Sequence, residues 1–412
     1  MQTFIKFLTL LLIVATTLHA KNGDNLIGIG AKARGMGGTS IAVSHGADSI
    51  LGNNSLITTV KGTEISVGGT LLIPTISSKL TLATSSPSHT SDTSTNVLPQ
   101  VSIAHKINDN WYIGVGIYGT AGMGVDYSKI VDNGSKNFSM LTNLQLFQLA
   151  MPIAYKNSGF SISATPVVQY GKFQISFDTS SYGGGNIGSG SAQDTGFGYN
   201  IGLAYDFSKS GINGLSFGAI YKSSINMSYG TQISTAMVGL NRLPLKTSLP
   251  TIDELAQPSE YGVGLSYKID KSTLALDYRK ISWSSAKGYS DFGWIDSNVY
   301  AVGYEFAQDS WIARVGYNYS SSAIVELPST GTNGANATVL NLLNLLGFSE
   351  NTQQHYTVGW TYDFPTKFSV DLAYVYSLEA KDTFILGKFG TGSEISTSHK
   401  ESSFSFQLNY TF

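Results

Sequence analysis

The chain contains no cysteine. That excludes a disulfide framework, a thiolate metal site and a lipid anchor on an N-terminal cysteine. Charge is scarce as well. Only 13% of the residues are Asp, Glu, Lys or Arg, against roughly 25% in soluble domains. The formal net charge of −2 offers no basic surface to a nucleic acid. Long hydrophobic runs are also missing, and none reaches the ~18 residues that a membrane helix needs. The six His are scattered without metal-ligand spacing. His105 and His355 lie near strand-like segments, but nothing in the sequence sets a serine and an acid beside either, so no catalytic residue is read. The glycines at Gly28 and Gly30 lack the Gly-Lys-Ser/Thr and the βαβ context of a nucleotide loop. No cofactor is implied.

What the chain has instead is period-two alternation. Aromatics make up 12% of it, with 23 Tyr and 20 Phe, and there are 45 Gly. In the closing stretch Phe404, Phe406, Leu408, Tyr410 and Phe412 share one face, and Ser403, Ser405, Gln407, Asn409 and Thr411 share the other, because successive strand side chains point opposite ways. The same pattern recurs from about Glu64, as in Trp111-Ile113-Val115-Ile117 and Tyr356-Val358-Trp360-Tyr362. One face is apolar and the other small and uncharged, which suits lipid outside and water inside. Short links such as Asn108-Asp109-Asn110, Asn157-Ser158-Gly159 and Asp270-Lys271 alternate with long segments such as residues 234–257 and 320–352. The expected fold is therefore all-β: a transmembrane antiparallel barrel of about fourteen strands over residues 63–412, with short periplasmic turns and long external loops. An even strand number sets both termini in the periplasm.

Two N-terminal segments precede the barrel. Residues 1–20 read as a secretory signal, with Lys6 ahead of the apolar run Phe7–Ala15 and a small Ala20 at the expected cleavage point. Residues 21–62 are rich in Gly and Ala and too few for a core of their own, with short helices broken by glycine. A barrel of about fourteen strands lies between the self-filled eight and the open sixteen to eighteen. Its lumen is the expected place for this segment, as a plug. Export without a membrane helix points to the outer membrane of a Gram-negative cell. Lipid and lipopolysaccharide are the expected neighbours there, and the barrel-assembly machinery is expected to meet the C-terminal strand at Phe412.

The stretch Gly30-Ala-Lys-Ala-Arg-Gly-Met-Gly-Gly-Thr-Ser-Ile-Ala-Val-Ser-His-Gly-Ala-Asp-Ser49 resembles the N-terminal hatch of the outer-membrane long-chain fatty acid and hydrocarbon transporters, the FadL/TodX type. Its core is Gly35-Met36-Gly37-Gly38. Further echoes are Tyr221-Lys-Ser-Ser-Ile225, Tyr261-Gly-Val-Gly-Leu265, Trp283-Ser-Ser285 and Thr357-Val-Gly-Trp-Thr-Tyr362, so the likeness covers nearly all of the mature chain. There is one departure. Where the family carries Asn-Pro-Ala at the end of the hatch, this chain has Asn53-Asn54-Ser55. The resemblance implies a hatch-plugged barrel that takes up hydrophobic molecules. They would be caught by external loops, pass to a lumen pocket and leave sideways through a kink in the third strand. That strand carries Gly114, Gly116, Gly119 and Gly122, and glycine favours bulges. It also suits a strand that packs on a plug.

Two long loops are apolar. One holds Met237, Val238, Leu240, Leu243 and Leu245, with a possible capping box at Thr251–Glu254. The other holds Leu340, Leu342, Leu343, Leu346 and Phe348 around Asn341 and Asn344, as a short amphipathic helix closed by Gly347. Such loops either capture an apolar ligand or fold over the barrel mouth. By parity Lys222, Arg279 and Arg314 point into the lumen, where each either holds a ligand carboxylate or pairs with another lumen charge. The functional expectation is passive uptake of hydrophobic small molecules, fatty acids or aromatic hydrocarbons, by a protein that is not an enzyme. A general porin and a barrel adhesin acting through its loops are the alternatives.

Overall fold

A computed structural model describes residues 25–92, 95–131, 139–178, 186–188, 190–241, 245, 247–332, 334–348 and 352–412. The expected signal segment and Leu243 lie outside the described residues.

In chain order the strand segments are β1 (Thr63–Thr81), β2 (Ser88–Thr90), β3 (Asn96–Lys106), β4 (Trp111–Asp126), β5 (Met140–Ala150), β6 (Ile153–Asn157), β7 (Phe160–Asp178), β8 (Asn186–Ile187) and β9 (Ala192–Asp206). They continue as β10 (Leu215–Lys222), β11 (Glu260–Ile269), β12 (Ser272–Ile281), β13 (Ser297–Gln308), β14 (Trp311–Ser320), β15 (Gln354–Asp363), β16 (Phe368–Ser377), β17 (Ala380–Ile385) and β18 (Glu394–Thr411). All pairings are antiparallel between neighbours, and β1 pairs with both β3 and β18, which closes the sheet. Four short segments only extend staves: β2 that of β3, β6 that of β5, β8 that of β9 and β17 that of β16. The result is the expected barrel of fourteen staves. Closure gives every stave a paired neighbour on both sides, the condition for a sheet to span a membrane.

The outer face shows where lipid sits. Rings meet in pairs on the turn side: Trp111 and Tyr155 at 5.0 Å, Phe368 and Tyr410 at 4.5 Å, Tyr362 and Phe364 at 4.7 Å. A second belt lies on the loop side: Tyr278 and Tyr300 at 5.3 Å, Tyr374 and Phe404 at 4.8 Å, Tyr199 and Tyr221 at 6.0 Å. Two such girdles flank the apolar band of a membrane barrel. Several strands run well past it. β7 has 19 residues, whereas a tilted strand crosses with roughly 9–11. Above Tyr170 its outward residues become Lys172, Gln174, Ser176 and Asp178. Period-two hydrophobicity ends there, so the sequence marked shorter strands than the fold contains. On the turn side the Ser158-Gly159 link has φ of 47° and 90°, the two left-handed residues that a two-residue hairpin matching strand twist requires.

Residues 25–62 pack against the inner wall. They form one turn of helix, α1 (Ala31–Gly35), and two 3-10 helices, Gly46–Leu51 and Asn54–Thr59. Wall glycines admit them. A Cβ on Gly218 would stand 1.9 Å from the Ile41 carbonyl oxygen, and one on Gly316 would stand 2.1 Å from the Gly37 nitrogen. Gly359 likewise faces Gly35, and Gly303 faces Met36. The backbone of this segment therefore lies directly on the backbone of β10, β13, β14 and β15.

Candidate functional site

The third and second staves separate partway up. β3 and β4 pair from Lys106↔Tyr112 to Gln100↔Tyr118, and no higher pairing joins them among the described residues. Above that point β3 stays with β1 as far as Asn96, and β4 stays with β5 as far as Asp126. The two sides meet again in the loops, where Asp126 donates to Ser91 Oγ at 2.8 Å and Asp92 donates to the Asp126 carbonyl at 2.8 Å. Eight residues of β4 at ~3.3 Å each give an unpaired frame about 26 Å long. Lys129 closes its upper rim, 2.8 Å from Asp92. That hydrogen bond holds the exposed Asp92 carboxyl below its ordinary value.

The cause is local to β4. Its register against β5 slips between Gly119 and Ala121, so Thr120 is an extra residue, and a bulge of this kind turns a strand and ends pairing. The Thr120 carbonyl accepts from Leu26 of the N-terminal segment at 3.5 Å. On the next stave the Met151-Pro152 dipeptide separates β5 from β6. The four third-strand glycines split into two uses. Gly114 and Gly116 lie under Ile50, where a Cβ would come within 2.6 and 2.8 Å of it, whereas Gly119 and Gly122 flank the bulge and only the Leu144 carbonyl lies near Gly122.

A cavity of about 400 Å³ occupies this frame, within the range of small-molecule sites. Its apolar wall is Leu72, Ile76, Val125, Leu144 and Leu146, and its polar wall includes His399 and Glu401 on β18. Val97 stands at the outer rim and is 67% exposed. His399 and Glu401 are buried.

The loop residues marked by sequence cap the mouth. α2 (Gln232–Asn241) carries Met237 and Leu240, both buried, and an exposed Val238. Leu245 is half-buried against the same core. The Thr251–Glu254 stretch is extended rather than a helix start, because Ser228 bridges Glu254 and Tyr229 donates to the Asp253 carbonyl. α3 (Gly334–Gly347) is longer than expected and buries Leu340, Leu342, Leu343 and Leu346, with Phe348 just beyond it. Its asparagines tie it down. Asn341 bonds the amide and carbonyl of Leu327 and the carbonyl of Ile385, and Asn344 bonds the Phe292 carbonyl and accepts from Trp294 Nε1 at 3.2 Å. At its end Thr397 and Thr142 of the barrel donate to the carbonyls of Leu345 and Gly347 at 2.9 and 2.5 Å. Gly347 has no left-handed φ, so the helix is closed by these barrel hydroxyls and not by a glycine cap. One buried apolar cluster runs from the α3 leucines to Ile76, Leu144 and Leu146.

The lumen charges lie beside carboxylates. Lys222 and Arg279 both approach Glu260, at 3.4 and 3.9 Å, and Arg279 Nη2 donates to the Ile27 carbonyl at 2.9 Å. They border a separate cavity of about 70 Å³ against the N-terminal segment. Arg314 lies elsewhere, donating to Glu305 at 2.8 Å and to Thr361 at 2.5 Å. In the N-terminal segment Gly37 and Gly38 have φ of 69° and 85°. The Gly37 amide donates to Thr357 Oγ1, which donates in turn to the Gly35 carbonyl. Met36 is fully buried. Asn53 reaches the carbonyls of Ile41 and, on β9, of Leu203, and it caps the second 3-10 helix through Ser55. Asn54 closes on the Ile50 carbonyl at 2.6 Å. The asparagine pair thus makes the turn without a proline.

Residues 25–412 match the outer membrane protein transport protein family (OMPP1/FadL/TodX). The chain belongs to that family. Among solved structures, the toluene transporter TodX of P. putida superposes with a TM-score of 0.66 at 17% identity, over 94% of this chain and 99% of the other. A Pseudomonas aeruginosa FadL homologue gives 0.68 at 14% identity over 95% and 100%, and the toluene transporter TbuX of Ralstonia pickettii gives 0.62 at 16% over 94% and 99%. No curated protein matches the chain.

The likeness to this family marked the N-terminal segment and the third strand in the sequence. It did not point to His399 and Glu401. A signal for them was present. The inward parity of Ser403, Ser405 and Gln407 continues backwards through Glu401 and His399, but the outward partners there are Lys400 and Ser402, so the apolar half of the pattern had stopped.

Proposed function

We propose that this protein is a passive outer-membrane channel for hydrophobic molecules that enter through the loop cap, cross the 400 Å³ cavity and leave sideways between β3 and β4. Residues 25–62 act as the hatch that keeps the lumen closed to water-borne solutes, and both termini face the periplasm. The observation that carries this reading is the break in pairing above Gln100↔Tyr118 with a half-apolar cavity in the gap. A wall facing lipid ordinarily satisfies each strand through its neighbours. A frame left unpaired at the bulge gives an apolar molecule a lateral route past the polar outer leaflet. Removal of its surface from water drives it downhill. The buried cluster leading from α3 to Leu144 and Leu146 supplies the approach. The toluene transporters named above support a substrate that is hydrophobic, and the reading leaves long-chain fatty acids and aromatic hydrocarbons both open.

Titration of the purified protein with a long-chain fatty acid and, separately, with toluene tests it. Saturable binding of either is the expected result. Absence of both, together with passage of small sugars in proteoliposomes, would make the protein a porin.

A further inference from the structure

The foot of the β3–β4 frame is built from both strands. On β3 the residue directly above the last pair is Pro99, which has no amide hydrogen with which to extend a ladder. On β4 the extra Thr120 follows Gly119 and slips the register. One side chain crosses the gap that results. The three atoms nearest to a Cβ on Gly119 would all belong to Leu98: Cδ2 at 3.0 Å, Cβ at 3.4 Å and Cα at 3.7 Å. Leu98 therefore reaches over from β3 and rests on the bare backbone of Gly119. Higher up β3 does not approach β4. A Cβ on Gly122 would have only the Leu144 carbonyl oxygen of β5 within 4 Å, at 3.5 Å. Leu98 and Gly122 both line the 400 Å³ cavity, and Leu98 is half-buried. At the top the frame is shut by the Asp92–Lys129 pair and by the backbone bond from Asp92 to the Asp126 carbonyl. The window thus has a polar lintel and an apolar sill made of one leucine.

Resting on the lateral-exit reading above, we propose that Leu98 is the specificity-determining residue of the exit: its side chain sets the girth of the molecule that leaves between β3 and β4. Straight alkyl chains and flat rings pass over it, and bodies that are thick in two directions are held back. The lintel is held by backbone and by charge, so it does not yield to an apolar molecule. The sill yields only if Leu98 leaves its seat on Gly119, which forfeits its packing there and forces a change of rotamer. A straight chain clears the window with Leu98 in place. A fused saturated ring system has to displace it first. Discrimination by one apolar side chain of this size is about tenfold. The cavity behind the window takes both shapes, so the choice is made in leaving and not in binding.

The test compares n-decane with decalin, a fused ring system with the same number of carbons. Uptake of each is measured in intact cells of a Gram-negative host carrying the natural protein, Leu98→Ala or Leu98→Phe, with the empty vector as blank, and the affinity of each purified protein for both is measured in detergent. The natural protein should favour decane in maximal rate by about tenfold. In L98A decalin should rise to within about threefold of decane, while neither affinity moves by more than about twofold, a split between rate and binding that a merely structural role would not give. L98F should widen the ratio. The heat-dependent gel shift of a closed barrel is read for every variant, and L98F carries the test if L98A does not close. Equal rates for decane and decalin in the natural protein overturn the proposal, as does a ratio that the variants leave in place. Both results leave hydrophobic uptake standing. Absence of uptake and of binding for both hydrocarbons removes the uptake reading itself.

Discussion

Gly218→Ala and Gly316→Ala each add one methyl group where the hatch backbone rests on the barrel wall. The Gly218 methyl would lie 1.9 Å from the Ile41 carbonyl oxygen, and the Gly316 methyl 2.1 Å from the Gly37 nitrogen. Backbone cannot swing aside as a side-chain tip does, so the hatch must retreat by roughly 1 Å at each point, an overpacking cost of about 1–3 kcal/mol per site. Retreat also loosens named bonds. Ile41 donates to Asp277 at 3.0 Å and its carbonyl accepts from Asn53 at 2.7 Å, while Gly37 donates to Thr357 and accepts from Asn318, both at 2.9 Å. The two glycines are four staves apart, ~19 Å around the wall at strand spacing, so their effects add. The double variant should weaken hatch seating by about 4 kcal/mol, which is about a thousandfold in the open population.

The assay is limited trypsin digestion of the folded protein, read at Arg34. That residue is buried in the seated hatch, and cleavage of a transiently opened state follows its population. Rapid cutting at Arg34, with the barrel still closed on a gel and with small sugars now entering proteoliposomes, is the expected outcome. An unchanged cleavage rate and unchanged sugar exclusion in G218A/G316A would refute the reasoning, because a hatch that accepts two methyl groups is not wedged on those glycines.

Three further perturbations test the frame, the cap and the lumen charges. A Cβ on Gly119 would lie 3.4 Å from that of Leu98, close to the ~3.8 Å of a disulfide. In this cysteine-free chain Leu98→Cys with Gly119→Cys should therefore form a staple that slows hydrocarbon uptake when oxidised and releases it with reductant; equal uptake in both states places the exit elsewhere. Asn344→Leu strands Trp294 Nε1 and the Phe292 carbonyl, at about 1–3 kcal/mol for each orphaned group, and should raise hydrogen exchange along α3 while strands keep their protection. Exchange that stays at the natural level would show that Asn344 does not anchor the cap. Arg279→Ala removes a neighbour of Glu260 and the bond to the Ile27 carbonyl. It should loosen the hatch while leaving fatty acid affinity within about twofold, as expected when a charge serves pairing rather than ligand. A tenfold loss of affinity would make Arg279 the carboxylate partner.

Strands whose two faces meet different solvents declare themselves in sequence, and for that reason the fourteen staves and the alternation of short and long links were legible. Tyr356, Val358 and Trp360 can only be outward in lipid. Where a strand leaves the membrane that contrast disappears, and β7 above Tyr170 and β18 before Ser403 continued unseen. The loop leucines were legible as apolar but not in direction. Their buried packing over the mouth depends on Asn341 and Asn344 finding carbonyls some 14 to 52 residues away, a partnership that no local pattern encodes. The third-strand glycines had two readings from sequence, a kink and a seat for the plug, and the fold divides the positions between them. Gly114 and Gly116 give room to Ile50, and Gly119 borders the extra Thr120. What separates the two pairs is a one-residue register slip against β5, and register is a property of two strands together. Glu401 follows the same logic. Its inward parity was readable in β18 alone, but only the unpaired frame between β3 and β4 turns a buried carboxylate into one that lines a cavity.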